Sequence, residues 1–90
     1  LDHLMDAIAV NPKDANLWND RCWLRAVQGI ELDSALADCN QALTLAPGEG
    51  AYHDSRGLVH LKLGNYAEAL ADYDAAVAAS PHEAHFRFGR

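Results

Sequence analysis

Five arginines, five histidines, two cysteines and thirteen acidic residues are what this 90-residue chain offers for chemistry. The arginines are the most regular. Arg21, Arg56 and Arg90 stand 35 and then 34 residues apart, in the stretches "NDRC", "DSRG" and "FGR". A guanidinium recurring at one phase suits two tasks, gripping an acidic partner or tying the fold together through an internal carboxylate. The histidines suggest a metal, with His53 and His60 seven residues apart and His82 and His85 three apart. Neither pair brings a third ligand, and none of the spacings typical of zinc sites is present. We therefore expect no metal.

Cys22 and Cys39 lack a Cys-x-x-Cys spacing, and each falls within a helical pattern as a small packing residue. They are expected to be buried and unbridged. No glycine-rich phosphate loop, Gly-x-Ser-x-Gly elbow or fixed carboxylate pair occurs in the chain. The stretch "NYAEALADYDAA" lacks the alternating ligands and central glycine of a calcium loop. These absences argue for a protein that is not an enzyme and carries no cofactor. The net charge of −6 disfavours nucleic acid, which calls for a basic stripe, and also anionic lipid. No apolar run reaches the length of a membrane span.

The elements that carry these residues repeat. Residues 35–47, "ALADCNQALTLAP", align with residues 69–81, "ALADYDAAVAASP", at an offset of 34. Ala35/Ala69, Leu36/Leu70, Ala37/Ala71, Asp38/Asp72, Ala42/Ala76 and Pro47/Pro81 are identical. The preceding segments align at an offset of 35, so the loop that begins "GIELD" in the first copy is one residue longer than "GNYAE" in the second. Each copy is expected to form two helices, at 15–28 and 33–45, then at 51–63 and 66–79. Gly29 and Gly64 stop the first helix of each pair, and a proline follows each second helix. Asp14 and Glu83 precede helix starts, where acids complement the dipole. A period near 34 with paired helices implies a stacked solenoid. "LMDAIAVNP" and "AHFRFGR" read as parts of flanking copies, which predicts a piece of a longer protein divided as 1–14, 15–49, 50–83 and 84–90.

This pattern resembles the tetratricopeptide repeat, Trp-x2-Leu-Gly-x2-Tyr, then Ala-x3-Phe, then Pro. Gly57, Ala69-x3-Tyr73, Ala76 and Pro81 match it in the second copy. Trp18, Cys22, Ala35-x3-Cys39, Ala42 and Pro47 match in the first. Arg21 and Arg56 depart from the usual leucine, and Arg25 and His60 from the usual tyrosine. The style of "NDRCW" and "DSRGLVHLKLGNYAEALADYD" resembles bacterial members. The resemblance implies an all-α, right-handed superhelix of antiparallel helix pairs. It also turns the arginine face toward the second helix of each pair, where an unpaired ion would cost several kcal/mol. We therefore expect Arg21 and Arg56 to form bidentate ion pairs with aspartates at the phase of Asp38 and Asp72, within a repeat or across the repeat boundary, with an exposed anion site as the alternative.

Members of the family bind protein or peptide partners on the concave face. By resemblance, that face maps to Asn19, Trp23 and Val27, then Asp54, Leu58 and Lys62, then Phe88. Trp23 is the foremost anchor, since tryptophans often dominate interface energy; the alternative is that Trp23 and Leu58 pack against the adjacent first helices. The subtype that grips a C-terminal carboxylate uses lysine and asparagine, where this chain has Asn19 and Asp54, then Trp23 and Leu58. The expected partner is therefore a peptide with apolar anchors and some basic character. The second hypothesis is self-assembly through apolar ends bearing Leu1, Met5 and Phe86, giving a homo-oligomer.

Overall fold

Two glycines set the frame. Gly29 and Gly64 adopt positive φ, 71° and 85°, where a residue without a Cβ meets no steric penalty. Each caps a helix by donating its N–H to carbonyls of the last turn. The computed structural model describes residues 2–79. They form α1 (Asp2–Val10), α2 (Ala15–Gln28), α3 (Leu32–Leu45), α4 (Gly50–Leu63) and α5 (Tyr66–Ala79). All regular structure among the described residues is helical, the all-α class expected. Expectations resting on Leu1, Pro81, His82, Glu83, His85, Phe86, Phe88 and Arg90 lie outside the described residues. No helix among those described is long and apolar enough to cross a membrane.

Helix starts follow local chemistry. The Asp14 carboxylate accepts a hydrogen bond from the Asn16 N–H at 3.1 Å, capping α2. The extra residue of the first copy leaves a different mark. Glu31, ahead of α3, adopts φ 47° and ψ 50° without being glycine, and its side chain makes no cap bond. Short turns join α2 to α3 and α4 to α5, which makes the two partners of each pair antiparallel. α4 also packs on α2 and on α3, and α1 packs on α2.

The core straddles the seam between pairs. Cys22 and Ala26 of α2, Ala35 and Cys39 of α3, and Leu58 and Val59 of α4 form one buried cluster, edged by Trp23, Leu36 and Leu63. A second cluster joins Ala42 and Leu43 to Tyr52, with Ala15, Trp18 and Ala46 at its margin. The Tyr52 hydroxyl donates to Asn16 Oδ1 at 2.8 Å, a bond from α4 to α2.

The cysteines overturn their expectation. Cys22 and Cys39 are joined as a disulfide between α2 and α3, with Cα atoms 5.5 Å apart. Each was judged within its own helix, whereas antiparallel pairing brings the two small-residue phases face to face. The corresponding crossing of α4 and α5 is filled another way. A Cβ placed on Gly57 would lie 2.8 Å from Tyr73 Cε1, so the ring seats directly on the glycine.

Candidate functional site

In each helix pair a buried aspartate of the second helix gathers cations from the facing helix. Asp38 on α3 is 3% exposed. Arg21 donates to it twice, from Nε to Oδ2 at 2.9 Å and from Nη2 to Oδ1 at 2.8 Å. Arg25, one turn along α2, adds Nη1 to Oδ2 at 2.9 Å. The Arg21 guanidinium lies 5.3 Å from the centroid of the Trp18 ring, and the Trp18 indole N–H donates to the Pro12 carbonyl at 2.8 Å. Hydrogen bonding to Asp38 raises the Arg21 pKa, outweighing the opposing effect of burial, and the charges of Asp38 and Glu31 add to the rise.

The second pocket has the same plan with different occupants. Asp72 on α5 receives Arg56 Nε at 2.9 Å and Nη2 at 2.7 Å. The third guanidinium nitrogen, Nη1, donates to Asn40 Oδ1 on α3 at 2.9 Å. His53 Nδ1 lies 3.2 Å from Asp72 Oδ1, and His60 Nε2 lies 3.9 Å from Oδ2. His60 thus holds the phase of Arg25, and His53 that of Trp18. One pocket has two permanent cations around its carboxylate; the other has one, with two imidazoles beside it. Among the described residues no group of three or more His, Cys, Asp or Glu is arranged to hold a metal ion.

The structure thus brings Arg21 to Asp38 and Arg56 to Asp72, with both guanidinium forks turned inward. Sequence reasoning missed Arg25 as a second partner of Asp38. It also missed Asn40, and the two histidines beside Asp72. The signal for three of these was present in spacing, since Arg25, His53 and His60 lie three or four residues from Arg21 or Arg56 and so share their face.

The seven residues assigned to a concave face part company. Leu58 is 2% exposed and belongs to the core, while Asn19 and Asp54 are 4% and 1% exposed. These three do not offer side chains to a partner in this structure, because α2 and α4 pack directly on each other. Trp23 is half-buried against the core cluster. Val27 and Lys62 are exposed, and so is Leu61, which the sequence reading passed over. Phe88 lies outside the described residues.

A stacked array of helix pairs defines a helical-repeat protein, and comparison with known families sharpens the class. Residues 50–83 match the family model of the tetratricopeptide repeat. Over 83 residues, 90% of its length, the chain is 30% identical to sperm-associated antigen 1 of Homo sapiens. It is 35% identical over 80 residues, 88% of its length, to the Hsp70-Hsp90 organizing protein of Triticum aestivum. It is 27% identical over 84 residues, 89% of its length, to a DnaJ homolog subfamily C member 7 homolog of Dictyostelium discoideum. The chain spans only 9%, 13% and 15% of these relatives respectively. All three come from eukaryotes, so they lend no support to the bacterial style read in the sequence.

Proposed function

We propose that this chain is a non-enzymatic protein-binding module, a section of a tetratricopeptide-repeat solenoid with units at 15–49 and 50–83. It takes a peptide or protein partner on the accessible part of the α2 and α4 surface. The supporting observation is Trp23, a large rigid ring seated on the core cluster and still partly accessible, on the helix that exposes Val27. Such an anchored aromatic offers contact area at little entropic cost. The net charge of −6 favours a partner with some basic character beside its apolar anchors. Neither nucleic acid nor membrane is part of the proposal. The name of the wheat relative ties that protein to Hsp70 and Hsp90. Here Asn19 and Asp54 stand where resemblance puts the lysines that grip a carboxylate tail, and both are buried, which favours a different ligand. Affinity capture with the intact protein and with Trp23→Ala tests the reading. Recovery of the partner is expected to fall at least about tenfold, the cost of losing a moderate interface anchor, with unchanged helicity. Undiminished capture would remove this face from consideration.

A second reading, self-assembly through the ends, has its own observation. Met5 and Val10 on α1 are 51% and 76% exposed, and Tyr66 and Leu70 on α5 are 68% and 53% exposed. Light scattering of the intact protein over a concentration series tests it, and a strictly monomeric mass would end it.

A further inference from the structure

We propose that the Cys22–Cys39 bond is a redox clasp confined to the first helix pair. Formed, it locks α2 onto α3; reduced, it lets that pair loosen while α4 and α5 hold. Three observations carry the inference. Both cysteines are 0% exposed and lie in a cluster with Ala26, Ala35, Leu58 and Val59. The two residues face each other across the α2–α3 crossing, with Cα atoms 5.5 Å apart, so reduction removes a covalent tie between those helices. The same crossing in the second pair is made by Gly57 and Tyr73, a contact that no reductant touches. Trp23 adjoins Cys22 and packs on the same cluster, so loosening reaches the surface around that ring.

The reductant is a dithiol. One of its thiolates attacks a cysteine sulfur, the protein S–S bond breaks and a mixed disulfide forms. The second thiol then displaces that sulfur and closes the reductant's own disulfide. Two electrons pass from the dithiol to the protein, and its two protons end on Cys22 and Cys39. Because both sulfurs are buried, attack waits for α2 to part from α3. A compartment that keeps thiols reduced holds the clasp open, and an oxidising one closes it.

Hydrogen exchange on the intact, air-oxidised protein, before and after dithiothreitol, tests the proposal. Closing a loop of 17 residues shifts an unfolding equilibrium by roughly a hundredfold. Amide protection in α2 and α3 is expected to fall by up to that factor on reduction, and protection in α4 and α5 by much less. Cys22→Ala/Cys39→Ala should show the lowered protection with or without dithiothreitol. If that variant does not fold, Cys22→Gly/Cys39→Tyr copies the second pair's contact and should be indifferent to the reductant. Two titratable thiols in the air-oxidised protein, unchanged exchange after dithiothreitol, or equal loosening of both pairs would each overturn the proposal.

Discussion

Asp38→Asn takes one negative charge from a pocket where two guanidiniums converge. The Arg21 and Arg25 side chains are 15% and 11% exposed, and each has a nitrogen within 2.9 Å of the Asp38 carboxylate. Asparagine keeps an acceptor but leaves two like charges facing each other with little water between them. Removing one partner of a buried pair costs about 3–5 kcal/mol. The residual exposure of the arginines places the expected loss at the lower end, about 3 kcal/mol. Asp72→Asn should cost less, about 2 kcal/mol, because it strands a single permanent cation. That cation, Arg56, is 26% exposed and retains Asn40 Oδ1. Urea unfolding at neutral pH, followed by far-ultraviolet circular dichroism, measures both; each kcal/mol corresponds to about 4–8 °C in Tm for a domain of this size. Removing the charges together, as in Arg21→Met/Arg25→Met/Asp38→Leu, should be milder than Asp38→Asn alone. The pairing argument fails if Asp72→Asn is the costlier single change, or if the triple variant is no milder.

Other expectations follow from single positions. Gly57→Ala should lose about 1 kcal/mol in urea unfolding, since overpacking against the Tyr73 ring, at about 1–3 kcal/mol, exceeds the helix-propensity gain of about 1 kcal/mol. Glu31→Gly should raise stability by about 0.5–1 kcal/mol in the same assay by relieving a left-handed backbone, despite losing a 4.0 Å approach to Arg25. Burial raises the pKa of the Tyr52 and Tyr73 hydroxyls, with neighbouring carboxylates adding to the effect. Their protonated forms are thus favoured by folding, and this contribution is complete below the ordinary tyrosine value of about 10 and is lost as pH rises through the higher folded values. Urea midpoints should therefore fall above about pH 10, less steeply in Tyr52→Phe; an equally steep fall in that variant would contradict the role of Tyr52.

The helices were legible because repetition doubled every signal. Gly29 and Gly64 mark the same event twice, and an acid at the phase of Asp38 returns at Asp72, opposite an arginine that also returns. Where the two copies diverge, the sequence spoke less clearly. Cys22 and Cys39 match Gly57 and Tyr73 in register, but a bridge depends on a Cα separation that only the crossing of two helices determines. Position within the repeat leaves Leu58 either on the open face or packed against an adjacent first helix, and the approach of α4 to α2 selects the second. His53 and His60 were weighed as a pair of ligands, and the partner that matters to both, Asp72, comes from another helix.

A short array of repeats can be described by what each unit contributes alone and what its contact with the next adds. Arg21 with Asp38, and Arg56 with Asp72, lie within their own helix pairs and belong to the first quantity. Across the seam run Leu58 and Val59, set among residues of α2 and α3, the Tyr52 hydroxyl on Asn16, and one guanidinium nitrogen of Arg56 on Asn40. Both aspartates are buried, so raising ionic strength screens the pairs within each unit only weakly. A change that strands one of those charges therefore weakens its own unit and leaves the coupling to the next in place.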